Sequence, residues 1–171
     1  MKLTIVIVSF NTKELLAKCL RSIKNAAKSM ETQTFVVDNA SSDGTPRDVS
    51  HNFPWVKLTR NISNLGFSKA NNIALKKAQG EYILILNPDT ELASDSLEKL
   101  IGFMDKNPEV SMLTPQVVLP NGKLDRDCRR SFPTPWRAFT HFSGLSKIFP
   151  KSKIFDSYFL NYLDDSIQHE I

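Results

Sequence analysis

Unbroken apolar runs that alternate with amphipathic segments limit the possible folds of this chain more than any other feature. The runs are LTIVIVSF (3–10), TFVVD (34–38), WVKLT (55–59) and EYILIL (81–86). Continuous β-branched runs are typical of strands buried on both faces. Helical spacing of apolar residues marks 16–27, 67–78 and 97–104, and Gly80 is expected to end the second of these helices. The alternation predicts an α/β fold with a doubly wound, mainly parallel Rossmann-like sheet flanked by helices.

Two of the runs lead directly into acidic residues. Asp38 ends the second run, and Asn87-Pro88-Asp89 follows the fourth. Because doubly wound sheets bind ligands beyond the carboxyl ends of their strands, both carboxylates are expected to face one crevice. The residues alone leave three interpretations open: an acid/base pair, a metal site or a site that reads a nucleobase.

The familiar phosphate-binding loops are missing from the sequence. The segment after the first run reads SFNTKELL, which matches neither G-x-G-x-x-G nor G-x-x-x-x-G-K-S/T. The sequence has no local His/Cys cluster of the kind that binds a soft metal. An isolated Asp suits Mg²⁺ or Mn²⁺, which take much of their coordination shell from water and substrate phosphates. We therefore expect a divalent cation as cofactor and a ligand that carries phosphates.

The bulk composition is that of a globular protein in a reducing compartment. Apolar residues make up 41% and charged residues 23%, with a net charge of +4. Cys19 and Cys128 have the spacing of neither a metal cluster nor a disulfide framework. No stretch approaches the ~20 apolar residues of a membrane span. We expect a cytoplasmic location, with the inner membrane surface as an alternative, and no nucleic-acid partner.

Basic and aromatic residues concentrate late in the sequence. From Lys123 to Lys153, eight Lys and Arg stand against two Asp, a net charge of +6. The basic residues, with Arg126, Arg129 and Arg130 at their centre, are most simply a solvated face, and an anionic partner is the alternative. The aromatic residues are interpreted as packing residues, with peripheral membrane contact or self-association as alternatives. They are Trp136, Phe139, Phe142 and Phe149.

Four ordered motifs carry a resemblance to a known family. The motifs IVIVSFN, VVDNASSDGT, NLGFSKANNIAL and GEYILILNPDTEL together resemble the donor-binding half of family-2 inverting glycosyltransferases with the GT-A fold. The rhamnosyltransferase-like branch fits best, and the resemblance covers residues 3 to about 115. It implies a nucleotide-activated sugar donor and inversion at the sugar carbon.

The resemblance also implies a set of donor-binding residues. They are Ser9, Phe10, Asp38, Asn64, Gly66, Asn71, Asn87 and Asp89. By analogy, Asp38 accepts a hydrogen bond from a pyrimidine ring, and Asp89 matches the metal-binding acid of the family's D-x-D motif. The first acid of that motif is Asn87 here, which predicts weaker metal binding. Asn71 stands where many relatives carry an arginine.

The family's catalytic base has no matching motif in this sequence. Members generally continue well beyond this length, and their second half supplies the acceptor pocket and the base. Asp164-Asp165 is a late acidic pair in a different context. We expect a nucleotide-sugar-binding domain over 1–115 and, in the same domain, an incomplete acceptor-side region over 116–171. Within that region, VVLPNGKL (117–124) predicts a hairpin with an Asn-Gly turn, and a short helix is expected after Pro135. The chain would then be truncated at its C-terminus, with the base beyond residue 171.

The functional hypothesis is transfer of a sugar, with rhamnose as a candidate, from a pyrimidine nucleotide-sugar to a saccharide or lipid-linked acceptor. The setting would be cell-surface polysaccharide synthesis, and this chain would bind the donor but transfer weakly. One alternative is a non-catalytic module that binds a nucleotide or assembles with another glycosyltransferase. The other is a sugar-1-phosphate nucleotidyltransferase, although the Gly-rich loop expected after its first strand is missing from SFNTKE.

Overall fold

The structure is a computed structural model of the 171-residue chain. It describes residues 1–125, 128, 131–149, 152–160 and 162–163. Two compact units make up the chain, Met1–Ser111 and Met112–Ile171.

The first unit is built around a four-stranded parallel sheet. Its strands are β1 (Leu3–Ser9), β2 (Thr32–Asp38), β3 (Lys57–Arg60) and β4 (Tyr82–Leu86). Its helices are α1 (Lys13–Ala26), α2 (Thr45–Asn52), α3 (Phe67–Leu75) and α4 (Ser96–Lys106). The strand order is β3-β2-β1-β4, and every pairing is parallel. The predicted doubly wound sheet is therefore confirmed, with β1 and β2 at its centre.

Helices cover the two faces of this sheet unequally. Buried residues of α1, α2 and α4 pack with Leu3, Ile5 and Ile7 of β1 on one face. On the other face, α3 packs Ala70 and Ala74 against the centre of the sheet. The chain winds from β1 to β2 and β3, then crosses back to β4 on the other side of β1. The order of the strands reverses between β1 and β4, and doubly wound sheets bind ligands beyond the carboxyl ends of the strands at such a reversal.

The fourth strand is less buried than its apolar sequence indicates. Ile83 and Ile85 are both 49% exposed, and only Leu86 of this strand is fully buried. Their register with β1 places these two isoleucines on the α3 face of the sheet, at its edge. Since α3 lies over β1 and β2, it does not cover them. The expectation of a strand buried on both faces is wrong for β4.

Gly80 does not end the third helix. That helix ends at Leu75, well before the glycine. A Cβ on Gly80 would overlap the backbone of Leu3 and Thr4, and the Gly80 amide donates to Thr4 Oγ1 (2.9 Å). Glycine is therefore required at this position by the close approach of the incoming β4 segment to β1.

No apolar periodicity in the sequence indicates helix α2. Its buried residues are only Thr45, Pro46 and Val49, so it shows no apolar stripe. Pro46 in the first turn and the two-sided cap described below define its start.

Among its described residues, the second unit contains two short helices, α5 (Pro135–Phe142) and α6 (Leu145–Ile148). The predicted helix after Pro135 is confirmed, and Thr134 Oγ1 caps it by accepting from the Arg137 amide. The hairpin predicted over 117–124 is reduced to one antiparallel bridge between Val118 and Leu124. Within the described residues, no helix combines the length and apolar character needed to cross a membrane.

Several residues considered above lie outside the described residues. They are Arg126, Asp127, Arg129, Arg130, Asp164 and Asp165.

Candidate functional site

Ser9 and Asp38 end neighbouring strands at the same level of the sheet. They are direct partners in the β1–β2 register, and both are buried, Asp38 with 1% of its surface exposed. Asp38 Oδ2 accepts the Ser41 amide (3.0 Å), whereas Oδ1 has no hydrogen-bond partner among the described residues. One oxygen thus caps the following turn. The other is a buried acceptor, the kind of group that needs a partner and suits a ligand donor.

The loop after β1 is attached to the loop after β2. The Asn11 amide donates to Ser41 Oγ (2.9 Å), and Asn11 Oδ1 accepts the Ser42 amide (2.8 Å). Phe10, between Ser9 and Asn11, is half exposed. The backbone around Ser9 and Phe10, which the resemblance assigns to donor binding, is therefore fixed to the segment that orients Asp38.

Asp43 joins the starts of two helices. Its Oδ2 accepts the Lys13 amide at the first residue of α1 (2.9 Å). Its Oδ1 accepts the amide (3.0 Å) and hydroxyl (2.6 Å) of Thr45 at the first residue of α2. Burial raises the pKa of Asp43, but the hydrogen bonds from Thr45 and Lys13 outweigh it and hold this pKa below its usual range. Both oxygens accept from the first residue of a helix, so Asp43 caps the starts of α1 and α2.

Asn39 and Asn61 connect two further loops to this edge of the sheet. Buried Asn39 accepts from Asn61 Nδ2 (2.8 Å) and donates to the Gly66 carbonyl (3.4 Å). Asn64 Oδ1 in turn accepts the Gly66 amide (2.9 Å). Gly66 is therefore linked to the end of β2, while Asn64 shapes the exposed turn before α3. Asn39 lies in one of the quoted motifs and Asn61 lies just before the next, but only the pairing of β2 with β3 shows that they meet.

Asn71 supplies a second buried acceptor. It is 3% exposed, its Nδ2 donates to the Phe67 carbonyl (3.0 Å), and its Oδ1 has no partner among the described residues. At this position the chain therefore presents a neutral amide oxygen rather than the cation of an arginine. Thr34 Oγ1 is likewise unpartnered, but it lies within β2, and nothing in the structure explains it.

Helix α1 holds the loop that carries Asn87 and Asp89. The Cys19 thiol donates to the Asn87 carbonyl (3.8 Å), and the Leu92 amide donates to Ser22 Oγ (2.9 Å). Burial, followed by the charges of Asp89 and Glu91, raises the pKa of Cys19 to about 12. The thiol is therefore protonated and unreactive at neutral pH. The side chains of Asn87 and Asp89 are exposed at the end of β4.

The donor set around Asp89 fits a hard cation held jointly with a ligand. Among the described residues, no group of three or more His, Cys, Asp or Glu could hold a metal by itself. One carboxylate beside an asparagine is the oxygen chemistry that Mg²⁺ and Mn²⁺ accept when phosphates and water complete their shell. Ser9 and Asp38 are paired across β1 and β2, and Gly66 is connected to the end of β2 by its hydrogen bond with Asn39. Asp89 follows β4, the neighbour of β1, so it lies at the same edge of the sheet.

Comparison with characterised proteins supports one family. The abequosyltransferase RfbV of Salmonella typhimurium is 33% identical over 116 residues, which cover 64% of this chain and 34% of RfbV. The N-acetylglucosaminyl-diphospho-decaprenol L-rhamnosyltransferase of Mycobacterium tuberculosis is 25% identical over 139 residues, covering 75% and 45% of the two chains. The chain thus spans less than half the length of each of these relatives.

Solved structures show the same fold. Staphylococcus aureus TarS in complex with UDP superimposes with a TM-score of 0.58 at 22% identity, covering 72% of this chain and 43% of TarS. The mannosyltransferase PcManGT from Pyrobaculum calidifontis, in complex with GDP-Man and Mn²⁺, gives 0.59 at 24% identity, with 70% and 36% covered. Both likenesses confirm the expected GT-A architecture. The model of the family described as glycosyl transferase family 2 matches residues 4–169, so the chain belongs to that family.

Proposed function

We propose that this chain is the donor-binding part of an inverting glycosyltransferase that uses a pyrimidine nucleotide-sugar. The observation that carries the proposal is the buried, unpartnered Oδ1 of Asp38 at the carboxyl end of β2. Family membership supplies the reaction class, transfer of a sugar to an acceptor. Abequosyl- and rhamnosyltransferase relatives support a deoxysugar such as rhamnose and a role in cell-surface polysaccharide synthesis.

The number of free oxygens on Asp38 favours uracil or thymine over guanine. Uracil and thymine present one ring donor, N3–H, between two carbonyl acceptors, and one carboxylate oxygen satisfies it. Guanine presents N1–H and an N2 amine side by side, a pair that suits both oxygens of a carboxylate. Because the Ser41 amide already occupies Oδ2, only Oδ1 remains for the base.

Asp89 and Asn87 would hold a divalent cation on the diphosphate. Such an ion, when bound, stabilises the negative charge of the leaving nucleoside diphosphate. The contribution of this chain is positional, because Cys19 and Ser22 fix the backbone on either side of Asp89. The asparagine in place of a first acid leaves the site less negative, so we expect the cation to bind mainly together with the donor.

Calorimetric titration tests the assignment of the base. We expect UDP and dTDP to bind more tightly than GDP. In Asp38→Asn, the amide oxygen is needed by Ser41, so the NH₂ group would face the N3–H donor. Loss of one charged hydrogen bond costs ~1.5–3 kcal/mol, or about 10- to 150-fold in Kd. Asp48→Asn on α2 is the matched control. Equal affinity of the parent for GDP and UDP would contradict the proposal.

The acceptor half of the reaction belongs to the same proposal. A general base typically contributes ~10²–10⁴-fold to such a reaction, and the described residues offer no acid in the family's motif for this role. We therefore expect slow transfer from dTDP-rhamnose or UDP-sugars to a saccharide or lipid-linked acceptor, despite donor binding. A chain that binds the donor and shows no transfer would instead be a nucleotide-binding or assembly module.

The second unit carries exposed aromatic and basic residues that would bring the chain to a membrane holding a lipid-linked acceptor. Phe132 and Phe142 are 85% and 86% exposed, and the segment from Lys123 to Lys153 carries a net charge of +6. The ring of Phe155 packs near those of Trp136 and Phe149, with centroid separations of 6.3 and 5.2 Å. These three rings form one aromatic cluster from separate segments of the chain. Exposed aromatic rings beside basic residues favour the surface of an anionic membrane.

Vesicle co-sedimentation tests this membrane contact. We expect binding to vesicles that contain acidic lipid, weakening as salt is added. The double variant Phe132→Ser/Phe142→Ser should bind less, and Ile62→Ser, which removes a fully exposed isoleucine of the first unit, should bind as the parent does. Concentration-dependent self-association through the two phenylalanines, without vesicle binding, would replace the membrane with a second copy of the chain.

A further inference from the structure

Backbone strain is concentrated in the loops beside Asp38. Among the described residues, three non-glycine residues have a positive φ, and two of them are Asn11 (52°) and Ala40 (66°). Asn11 follows Ser9 and Phe10 after β1, and Ala40 follows Asp38 and Asn39 after β2. Left-handed backbone is unfavourable for alanine and tolerated by asparagine. Such conformations persist where surrounding bonds enforce them.

Ser41 connects the strained loops to the base-reading carboxylate. Its Oγ accepts the Asn11 amide (2.9 Å), and its own amide donates to Asp38 Oδ2 (3.0 Å). Asn11 Oδ1 holds the next residue by accepting the Ser42 amide (2.8 Å). Asp43 completes the attachment by accepting the Lys13 amide from the α1 side. The position of Ser41 therefore depends on both loops.

We propose that Ser41, held by Asn11, is a positioning residue that determines base specificity by assigning one oxygen of Asp38 to the protein and the other to the nucleobase. This inference rests on the function proposed above. If the Ser41 amide moved away, both oxygens of Asp38 would become available. The carboxylate could then accept the paired donors of guanine as well as the single donor of uracil.

The inference separates base discrimination from stability. Ser41→Ala keeps the backbone amide but removes the hydroxyl that anchors Ser41 to Asn11. We expect the ratio of UDP to GDP affinity to fall about fivefold, the factor that corresponds to one net hydrogen bond. Ser41→Thr restores a hydroxyl and should restore the ratio. Ser50→Ala, which removes a hydroxyl bonded within α2, should leave it unchanged.

Two variants of Asn11 test the loop connection. Asn11→Gly accepts the left-handed backbone but loses the bond to the Ser42 amide, and Asn11→Ala loses the bond and is strained as well. We expect the UDP:GDP ratio to fall in both, with a lower melting temperature in the alanine variant. Amide hydrogen exchange at Asn11 and Ser42 reports the connection without any ligand. Faster exchange in Ser41→Ala at Asn11 is the expected result.

Each outcome decides the question. If Ser41→Ala lowers only the melting temperature and leaves the UDP:GDP ratio unchanged, Ser41 is structural and the inference is overturned, while the proposed function stands. If the parent chain binds no nucleotide although its Asn11 and Ser42 amides are protected, the proposed function fails and takes the inference with it.

Discussion

The two ends of the central sheet treat their polar groups differently. At the amino end, Lys2 bonds to both Glu81 (2.9 Å) and Asp105 (2.8 Å), and the Tyr82 hydroxyl also donates to Asp105 (2.8 Å). At the carboxyl end, loop bonds orient Asp38 but leave its Oδ1 unpartnered among the described residues. The polar groups at the amino end bond to one another, whereas loop bonds at the carboxyl end orient Asp38 and leave one of its oxygens without a partner among the described residues.

The largest effect is expected at the amino end, from Gly80→Ala. The new Cβ would overlap the Leu3–Thr4 backbone, and overpacking of this kind costs about 3 kcal/mol. Denaturant unfolding measures the loss. Gly102→Ala is the matched control, because nothing lies near a Cβ there and alanine favours the helix by about 0.5–1 kcal/mol. The ends would not be independent if the folded Gly80→Ala chain bound UDP less tightly than the parent.

A smaller effect, confined to the carboxyl end, is expected from Asp89→Asn. We expect Mn²⁺ or Mg²⁺ to tighten UDP binding about tenfold in the parent and to have no effect in the variant. The free energy of unfolding should hardly change, because the Asp89 side chain is exposed. Titration with and without EDTA gives the comparison. Equal UDP affinity of the parent under both conditions would remove the cation from the proposal.

The smallest effect distinguishes the ends by pH. Hydrogen bonds from Lys2 and Tyr82 lower the pKa of Asp105. Burial raises the pKa of Asp43, but hydrogen bonds from Thr45 and Lys13 outweigh burial and lower this pKa overall. A carboxyl group whose pKa is lower in the folded state stabilises the fold at pH values above its unfolded pKa, which is about 3.9 for Asp. This stabilisation is lost as the pH falls through the pKa of the folded state. Asp43→Asn and Asp105→Asn should therefore both flatten the acid side of the stability profile.

Nucleotide affinity at neutral pH then separates these two variants. Only Asp43→Asn should weaken UDP binding, since Asp105 lies at the opposite end of the sheet. Calorimetry at pH 7 provides the measurement. A similar loss of affinity in Asp105→Asn would show that the ends are coupled.

The sequence predicts what depends on short stretches of chain. The buried runs of β1 and β2 and the acidic residues after β2 and β4 follow from local pattern. The exposure of Ile83 and the role of Gly80 do not, because both depend on the order of the strands. The same holds for Ser41 and Asn39, whose partners lie 30 and 22 residues away. Register and topology, rather than composition, place such side chains.

The double cap at Asp43 has a consequence for the order of folding. Its bond to the Lys13 amide spans 30 residues and requires β1, α1 and β2 to be docked already, whereas its bonds to Thr45 are local. A contact that forms after the rate-limiting step affects unfolding rather than folding. Asp43→Asn should therefore raise the unfolding rate and leave the folding rate nearly unchanged. The slopes of both chevron arms should stay the same. The contacts of Asp43 with both helices would thus form late in folding, and their free energy would set the unfolding rate and so the lifetime of the folded site.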